Sequence, residues 1–263
     1  MSGNVRSSDG TTEIGARSCL ARSAAAPAPA PASDRRVAVS ALDVVRDALR
    51  GTGIDLAASC TIEAYDARAP GPLRSASLMP SARGVIVVAS AGRSLWAALE
   101  RDRARDPSGW HVDHPLDAYV ARALDHAGRA LDAASIASRR FEPTLGARPA
   151  LSFRALGELV GLGSMGPFGL LIHDVHGPWW ALRGAFLVDV AVDPPQAHAP
   201  PCAGCAAPCV AGGKAAAGAI ALATPEVRGR CVVGQASRYD DTQIAYHHDR
   251  EPTLARLRAR TAC

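Results

Sequence analysis

The chain has 263 residues, with 29 arginines and lysines, 25 aspartates and glutamates, and a formal net charge of +4. This length suits one domain and a tail, and the scattered charge argues against a nucleic-acid interface, which needs clustered basic side chains. No stretch provides the roughly 18 apolar residues of a membrane span, and no signal-peptide core is present. We therefore expect a cytoplasmic protein that binds neither nucleic acid nor membrane.

The first third of the chain combines a biased tail with regular elements. Residues 1–36 are polar and then rich in alanine and proline, a composition that predicts a disordered tail. A helix is predicted to begin after Ser40, a good N-cap, and to end before Gly51. Strands are predicted at residues 58–65, which alternate, and at residues 84–90, which are rich in β-branched side chains.

The middle of the chain alternates between helical and strand patterns. Apolar residues soon after the second strand predict the start of a helix, and Trp110 then falls in a polar segment predicted as a loop. From Pro115 the apolar residues recur every three or four positions, which predicts a long amphipathic helix. A further helix is predicted over 149–160, then strands at 168–172 and 179–190 that form an antiparallel hairpin. This mixture predicts an α+β fold.

A glycine-rich string, Gly-Leu-Gly-Ser-Met-Gly at residues 161–166, matches the G-x-G-x-x-G motif of dinucleotide-binding proteins. That motif requires a strand before it, a helix after it and an acidic residue about 20 positions on. Here a predicted helix precedes the string and a predicted strand follows it, so we expect no nucleotide site. Two interpretations stay open: the glycines form a turn only, or they let the backbone approach a large flat ligand closely.

The seven cysteines are interpreted as thiols or metal ligands, because disulfides are rare in a reducing compartment. Cys202, Cys205 and Cys209 are closely spaced, and Cys231 follows later. Four thiolates can form a tetrahedral site for one iron–sulfur cluster or one zinc ion. The alternative is a set of thiols without metal. The other three cysteines are isolated and are interpreted as bystanders: Cys19, Cys60 and Cys263.

Four segments resemble known cobalamin-related families. Residues 156–173, LGELVGLGSMGPFGLLIH, resemble the cobalamin-binding core of epoxyqueuosine reductases, which carry a similar helix, Gly-Leu-Gly turn and Ile-His strand end. The continuation over residues 172–188, IHDVHGPWWALRGAFLV, is more similar to CblC-type cobalamin-processing proteins. Residues 113–121, DHPLDAYVA, and 238–246, RYDDTQIAY, resemble two further segments of the CblC-type family in consistent order.

The resemblance implies a nitroreductase-like α+β fold, with a mixed sheet and flanking helices in one domain. After the tail, a cobalamin-binding core is expected over residues 37–200, with residues 201–263 packing on it. The implied activity is base-off binding of cobalamin and removal of its upper axial ligand, by flavin reduction or by attack of a glutathione thiolate. Two alternatives stay open: a cobalamin carrier that serves a client enzyme without chemistry, and an iron–sulfur reductase that acts through cobalamin.

The resemblance also implies ligand contacts on the glycine turn and the segments that follow it. The implied cobalamin contacts are Gly161, Gly163, Met165, Gly166, Phe168, His173, Trp179 and Trp180. Because adjacent strand residues face opposite sides, only one of the two tryptophans is expected to touch the ligand. Arg183 and Arg238 are the implied partners of the glutathione carboxylates, which guanidinium groups bind well.

Two positions depart from the resembling families. Leu159 stands where the human-type CblC proteins have a histidine, and Ala147 stands where the epoxyqueuosine reductases have their aspartate proton donor. The missing acid argues against epoxide reduction as the activity. No catalytic residue is predicted.

Overall fold

The computed structural model describes residues 40–143, 152–195, 199–206, 209 and 224–260. The predicted tail, Ala147, Cys19 and Cys263 lie outside these residues. In chain order the strands are β1 (Leu56–Thr61), β2 (Gly84–Ala91), β3 (Ser138–Phe141), β4 (Ser164–Met165), β5 (Leu171–Ile172) and β6 (Trp180–Val188). The α-helices are α1 (Ala41–Ala48), α2 (Ile62–Asp66), α3 (Ser75–Leu78), α4 (Ser94–Arg105), α5 (Pro115–Ala133), α6 (Phe153–Leu159), α7 (Pro225–Gly229), α8 (Asp241–His248) and α9 (Arg250–Arg260).

A four-stranded sheet in the order β1–β2–β6–β3 lies at the centre of the fold, and its three strand pairings are all antiparallel. Every residue of β2 is buried. This burial explains why its sequence is continuously apolar rather than alternating, since both faces of the strand are covered. The predicted strand and the α+β fold class are thereby confirmed.

Helices cover both faces of this sheet, because successive β2 side chains point to opposite sides. Ile86 and Val88 belong to an apolar layer with residues of α1, α4, α5, α8 and α9. Val85 and Val87 belong to a second layer, with residues of α2 and α6. Tyr246 of α8 and Leu254 of α9 lie in the first layer, so the C-terminal segment contributes to the core.

The two best-patterned helices form as predicted. Ser40 caps α1, since its Oγ accepts a hydrogen bond from the backbone N–H of Asp43 at 3.1 Å, and Gly51 follows the helix with a φ of +80°. Helix α5 buries its apolar stripe, including Leu124 and Leu131, against the sheet. Among the described helices, none is long and apolar enough to cross a membrane.

Two local predictions are wrong. Strand β1 ends at Thr61, earlier than expected, because the Thr61 hydroxyl accepts a hydrogen bond from Ala64 N–H at 3.3 Å and caps α2. Trp110 is not in an exposed loop but is 3% exposed. Trp110 belongs to a short 3₁₀ helix, Pro107–His111, and its ring lies in the core, 6.1 Å from the Trp96 ring.

The predicted hairpin between the last two strands does not form. Strand β5 is only two residues long and pairs with β4 inside the glycine-rich segment, whereas β6 pairs with β2 and β3. A turn with a bridge between His173 and Gly177 separates β5 from β6. Gly177 has a φ of +56°, a conformation that favours glycine. Strand β3 was not predicted, because its residues are mostly polar.

Candidate ligand-binding cleft

Arg183 is the extra residue of a β-bulge in β6. Val88 of β2 lies opposite Gly184, and Ala89 lies opposite Leu182, so Arg183 has no partner in the register. A bulge of this kind changes which face later side chains occupy. Leu182 therefore packs in the same layer as Leu187, although an odd number of positions separates them. The Arg183 Nε donates a hydrogen bond to Ser90 Oγ at 2.8 Å.

Arg183 lies where two cavities meet. One cavity, of about 610 Å³, is lined by parts of β5 and β6, by Arg154 of α6, and by Arg228 of α7. The other, of about 550 Å³, lies between the start of α5 and the end of α8. Both are lined by Arg183, His247 and His248. We call these two cavities together the Arg183 cleft.

Arg228 forms a second cationic group in the Arg183 cleft. Its guanidinium carbon lies 4.6 Å from the ring centroid of Trp179 and 5.2 Å from that of Tyr239, and its Nη2 donates to the Pro178 carbonyl at 2.6 Å. Arg228 Nε and Trp179 Nε1 are buried without a hydrogen-bond partner among the described residues. The guanidinium is therefore held by stacking, with one donor still unsatisfied.

Charges of both signs line the cleft. Asp117, Asp249 and Glu251 line the second cavity, whereas Arg154, Arg183 and Arg228 line the first, whose lining contains no carboxylate. In the part of the chain that the structure describes, no carboxylate forms an ion pair with Arg183 or Arg228. Burial lowers the pKa of both guanidinium groups from its ordinary value, but arginine stays protonated in proteins. The first cavity therefore offers a binding site for an anion.

The His247 imidazole lies near these arginines. Desolvation, together with repulsion from Arg183 and Arg228, lowers the pKa of the His247 imidazole to about 4, although the residue as a whole is exposed to solvent. The imidazole is therefore neutral at pH 7, and the arginines that line the first cavity are the cations that an incoming anion meets there.

Of the aromatic residues implied as ligand contacts, only Trp180 lines the Arg183 cleft. Its Nε1 donates to the Leu171 carbonyl at 3.1 Å, which fixes the indole over β5. Phe168 and Trp179 are 1% and 0% exposed, respectively, so they form the interior beneath the cleft. A ligand would reach them only if other side chains moved.

The glycines of the turn serve close packing. A Cβ on Gly163 would lie 2.7 Å from the Trp180 ring, and one on Gly166 would lie 2.5 Å from the Ile172 side chain. Gly161 and Gly163 line a separate cavity of about 410 Å³, not the Arg183 cleft. Met165 is 37% exposed. These contacts favour the interpretation of the glycines as a tightly packed turn.

His173 and Arg238 lie at the edges of this region. His173 Nδ1 accepts a hydrogen bond from Val175 N–H at 3.0 Å, and its ring meets the Trp180 ring edge-on at 5.7 Å. The side chain of Arg238 is half exposed, lies 3.9 Å from an Asp241 carboxylate oxygen, and is not among the residues lining the cleft. Of the two predicted thiol-binding arginines, the structure places only Arg183 in the cleft.

The predicted metal ligands come close together without forming a metal site. Cys209 and Cys231 are buried in a small apolar cluster with Phe168, and Cys202 packs against them. Burial and the neighbouring thiols raise the pKa of Cys202. Nevertheless, the described residues contain no group of three or more His, Cys, Asp or Glu side chains that could hold a metal ion. The geometry gives no support to the predicted iron–sulfur or zinc site.

Three cleft residues, Arg154, Arg228 and His247, were not identified from the sequence. Arginine is abundant throughout the chain, so neither arginine stood out by type. His247 could have been found from its position, because it directly follows Tyr246, the last residue of the segment that resembles the CblC-type family. Arg228 carried no such signal, because its role depends on stacking against Trp179 from another part of the chain.

This sheet with helices on both faces is an α+β architecture shared with proteins of known structure. The chain is similar to the crystal structure of the C. elegans B12-trafficking protein CblC, with a TM-score of 0.55 and 12% identity over 81% of this chain and 94% of that chain. This similarity confirms that the fold implied by the sequence resemblance is correct. No protein-family model and no curated protein matches the sequence significantly.

Weaker similarity extends to epoxyqueuosine reductases. The structure from Streptococcus thermophilus has a TM-score of 0.41 and 15% identity, over 74% of this chain and 54% of that chain. The structure from Bacillus subtilis has a TM-score of 0.44 and 15% identity, over 63% of this chain and 49% of that chain.

Proposed function

We propose that this protein binds cobalamin with its lower base detached, in the Arg183 cleft, and removes the upper axial ligand with a small thiol as co-substrate. The observation that carries the proposal is the pair Arg183 and Arg228. These cations line a cavity whose lining contains no carboxylate, in a fold shared with a B12-trafficking protein. A thiol with two carboxylates, such as glutathione, is the anion that suits two separate guanidinium groups.

The residues present also suit a corrin ring. A corrin is a large, partly apolar disc with amide side chains, and the cleft offers an apolar wall at Leu170, Leu171 and Leu182, with Trp180 at its edge. Arg228 lies beside this wall, and its guanidinium can donate to amide or carboxylate oxygens of a ligand.

The residues of the chain have separate tasks in this proposal. Arg183 and Arg228 bind the carboxylates and favour the thiolate form of the co-substrate, because nearby positive charge lowers the pKa of a thiol. Trp180 and the leucines exclude water from one face of the corrin. When bound, cobalamin supplies the cobalt atom from which the thiolate takes an alkyl ligand, or from which the ligand leaves after reduction by a flavin.

An absorbance titration tests the proposal. Methylcobalamin and cyanocobalamin are mixed with the purified protein, first alone, then with glutathione, and then with a reduced flavin. We expect a spectral change to the base-off form on binding, and conversion only when the thiol or flavin is added. Unchanged cobalamin spectra at high protein concentration would contradict binding, and with it the whole proposal.

Two outcomes of that titration would favour the alternatives. Base-off binding without conversion under either condition would indicate a carrier that hands cobalamin to a client enzyme. Conversion that depends on stoichiometric iron in the protein would indicate an iron–sulfur reductase. The Arg183→Met variant separates these outcomes, because the thiol-dependent route predicts loss of conversion with retention of cobalamin binding.

A further inference from the structure

Cys202 and Cys231 belong to segments far apart in the chain but pack in one cluster. Cys231 is a buried member of the cluster that contains Phe168 and Ile172, and Cys202 packs against it. Both side chains carry thiols, not a disulfide. Two thiols close together can exchange with a disulfide.

The two thiols differ in exposure and in how firmly they are held. Cys231 is 6% exposed; its N–H donates to the Arg228 carbonyl at 3.2 Å, and its carbonyl accepts from Gln235 Nε2. Cys202 is partly exposed and begins a turn in which Gly204 has a φ of +74°. The more accessible Cys202 thiol is the one that a small disulfide in solution can reach first, and the buried Cys231 thiol is placed to react second.

We propose that Cys202 and Cys231 are a redox-active dithiol pair that reacts with low-molecular-weight disulfides. The Cys202 thiolate attacks one sulfur of the small disulfide, forming a mixed disulfide and releasing one thiol. The Cys231 thiolate then attacks the Cys202 sulfur and releases the second thiol. The pair loses two protons and two electrons, and the small disulfide gains them, so the reaction is a balanced exchange.

Closing this bond would fix one wall of a cavity. Pro200 and Pro201, directly before Cys202, line the cavity of about 410 Å³ together with Gly161 and Gly163 of the glycine turn. A Cys202–Cys231 disulfide would tie this wall to the segment that follows α7. The pair lies outside the Arg183 cleft, so this inference does not depend on cobalamin binding.

Peptide mapping of the full chain tests the pair. The protein is reduced, freed of reductant and treated with oxidised glutathione over a range of reduced-to-oxidised ratios; it is then quenched with acid and alkylated. Trypsin separates the two cysteines, because Lys214 and Arg230 lie between them. We expect a peptide containing Cys202 linked to the peptide containing Cys231, with no glutathione retained on either.

Cysteine-to-serine variants distinguish the Cys202–Cys231 pair from pairs formed with neighbouring cysteines. Cys231→Ser should leave a persistent glutathione adduct on Cys202, and Cys202→Ser should form neither the link nor the adduct. Cys205→Ser is the matched control on the same turn, and it should still form the Cys202–Cys231 link. Near-UV circular dichroism of each variant verifies that the fold is retained.

Several results would overturn the inference. A link between Cys202 and Cys205 or Cys209, a persistent adduct on the unaltered protein, or loss of the link in Cys205→Ser would each contradict the assigned pair. Release of one equivalent of zinc or iron from the purified protein, with thiols that resist oxidation until the metal is removed, would show a metal site instead.

Discussion

The guanidinium of Arg228 stacks on the indole of Trp179, with its central carbon 4.6 Å from the ring centroid. Trp179 is completely buried, so one face of the Arg228 guanidinium covers the protein interior. Arg228 also lines the Arg183 cleft. An arginine in this position both covers the core and presents a charge to a ligand. The two roles can be separated by substitution.

Replacing Arg228 with methionine should separate stability from binding. Methionine retains apolar cover on Trp179, so we expect the free energy of unfolding to change by less than about 1 kcal/mol. Loss of a charged hydrogen-bond donor should weaken glutathione binding by about 10-fold or more. Urea unfolding and calorimetric titration measure the two effects. Arg238→Met is the matched control, and an equal loss of affinity in both variants would contradict the assignment.

Ser90→Ala should change the orientation of the Arg183 side chain without removing its charge. The Ser90 hydroxyl accepts from the charged Arg183 guanidinium at Nε, and a hydrogen bond that involves a charged group contributes about 1.5–3 kcal/mol. We expect glutathione affinity to fall about 3- to 10-fold. Ser59→Ala is the control, because Ser59 is also buried and donates to the Asp193 carbonyl at 3.0 Å away from the cleft. If both variants bind glutathione equally well, Ser90 does not position Arg183.

The His247 imidazole should titrate far below the ordinary histidine range. Its pKa is about 4 in the folded protein, and removing either Arg183 or Arg228 should raise it toward 6.5. The imidazole C2–H resonance in NMR spectra follows this titration. Arg238→Met, which removes a more distant charge, should leave the His247 pKa in place. A His247 pKa near 6.5 in the unaltered protein would contradict both the desolvation of the imidazole and its repulsion by the two arginines.

The same shift makes stability depend on pH. Because the folded pKa of His247 lies below its unfolded value, the unfolded chain binds more protons between about pH 6.5 and 4, and stability falls as the pH falls through that window. In His247→Gln this contribution should disappear. Urea midpoints at a series of pH values compare the two proteins, and parallel curves would show that His247 does not contribute.

Adding one methyl group at two glycines should have opposite effects on stability. In Gly163→Ala the new Cβ would lie 2.7 Å from the buried Trp180 ring, so we expect destabilisation of about 1–3 kcal/mol and a change in tryptophan fluorescence. In Gly128→Ala, on α5, nothing lies within 4 Å of the new Cβ, and helix propensity should add about 0.5–1 kcal/mol. Thermal unfolding of both variants measures the difference.

The parts of the fold that follow from local patterns could be predicted. The β-branched run of β2 and the apolar stripe of α5 each specify an element whose burial is continuous, and both form as expected. Elsewhere, competing local interactions override the strand-like or helical pattern of the sequence. Thr61 ends β1 by capping a helix, although the residues beyond it alternate like a strand.

The cleft was harder to predict, because it depends on contacts between distant segments. Arg183 was expected at the site from the resemblance, but its direction comes from a bulge that no alternation pattern reveals. Arg228 and Trp179 meet only after α7 packs on the sheet. Phe168, by contrast, looked like a ligand contact by type, yet it is enclosed in the core.

The order of the elements along the chain has a consequence for how the protein is made. All four strands of the central sheet have been synthesised once β6 is complete, but Arg228 and His247 follow much later, on α7 and α8. A nascent chain at that stage contains Arg154 and Arg183 but not Arg228, so the cationic lining of the first cavity is incomplete. The cleft is therefore completed late in synthesis, after the central sheet has all its strands.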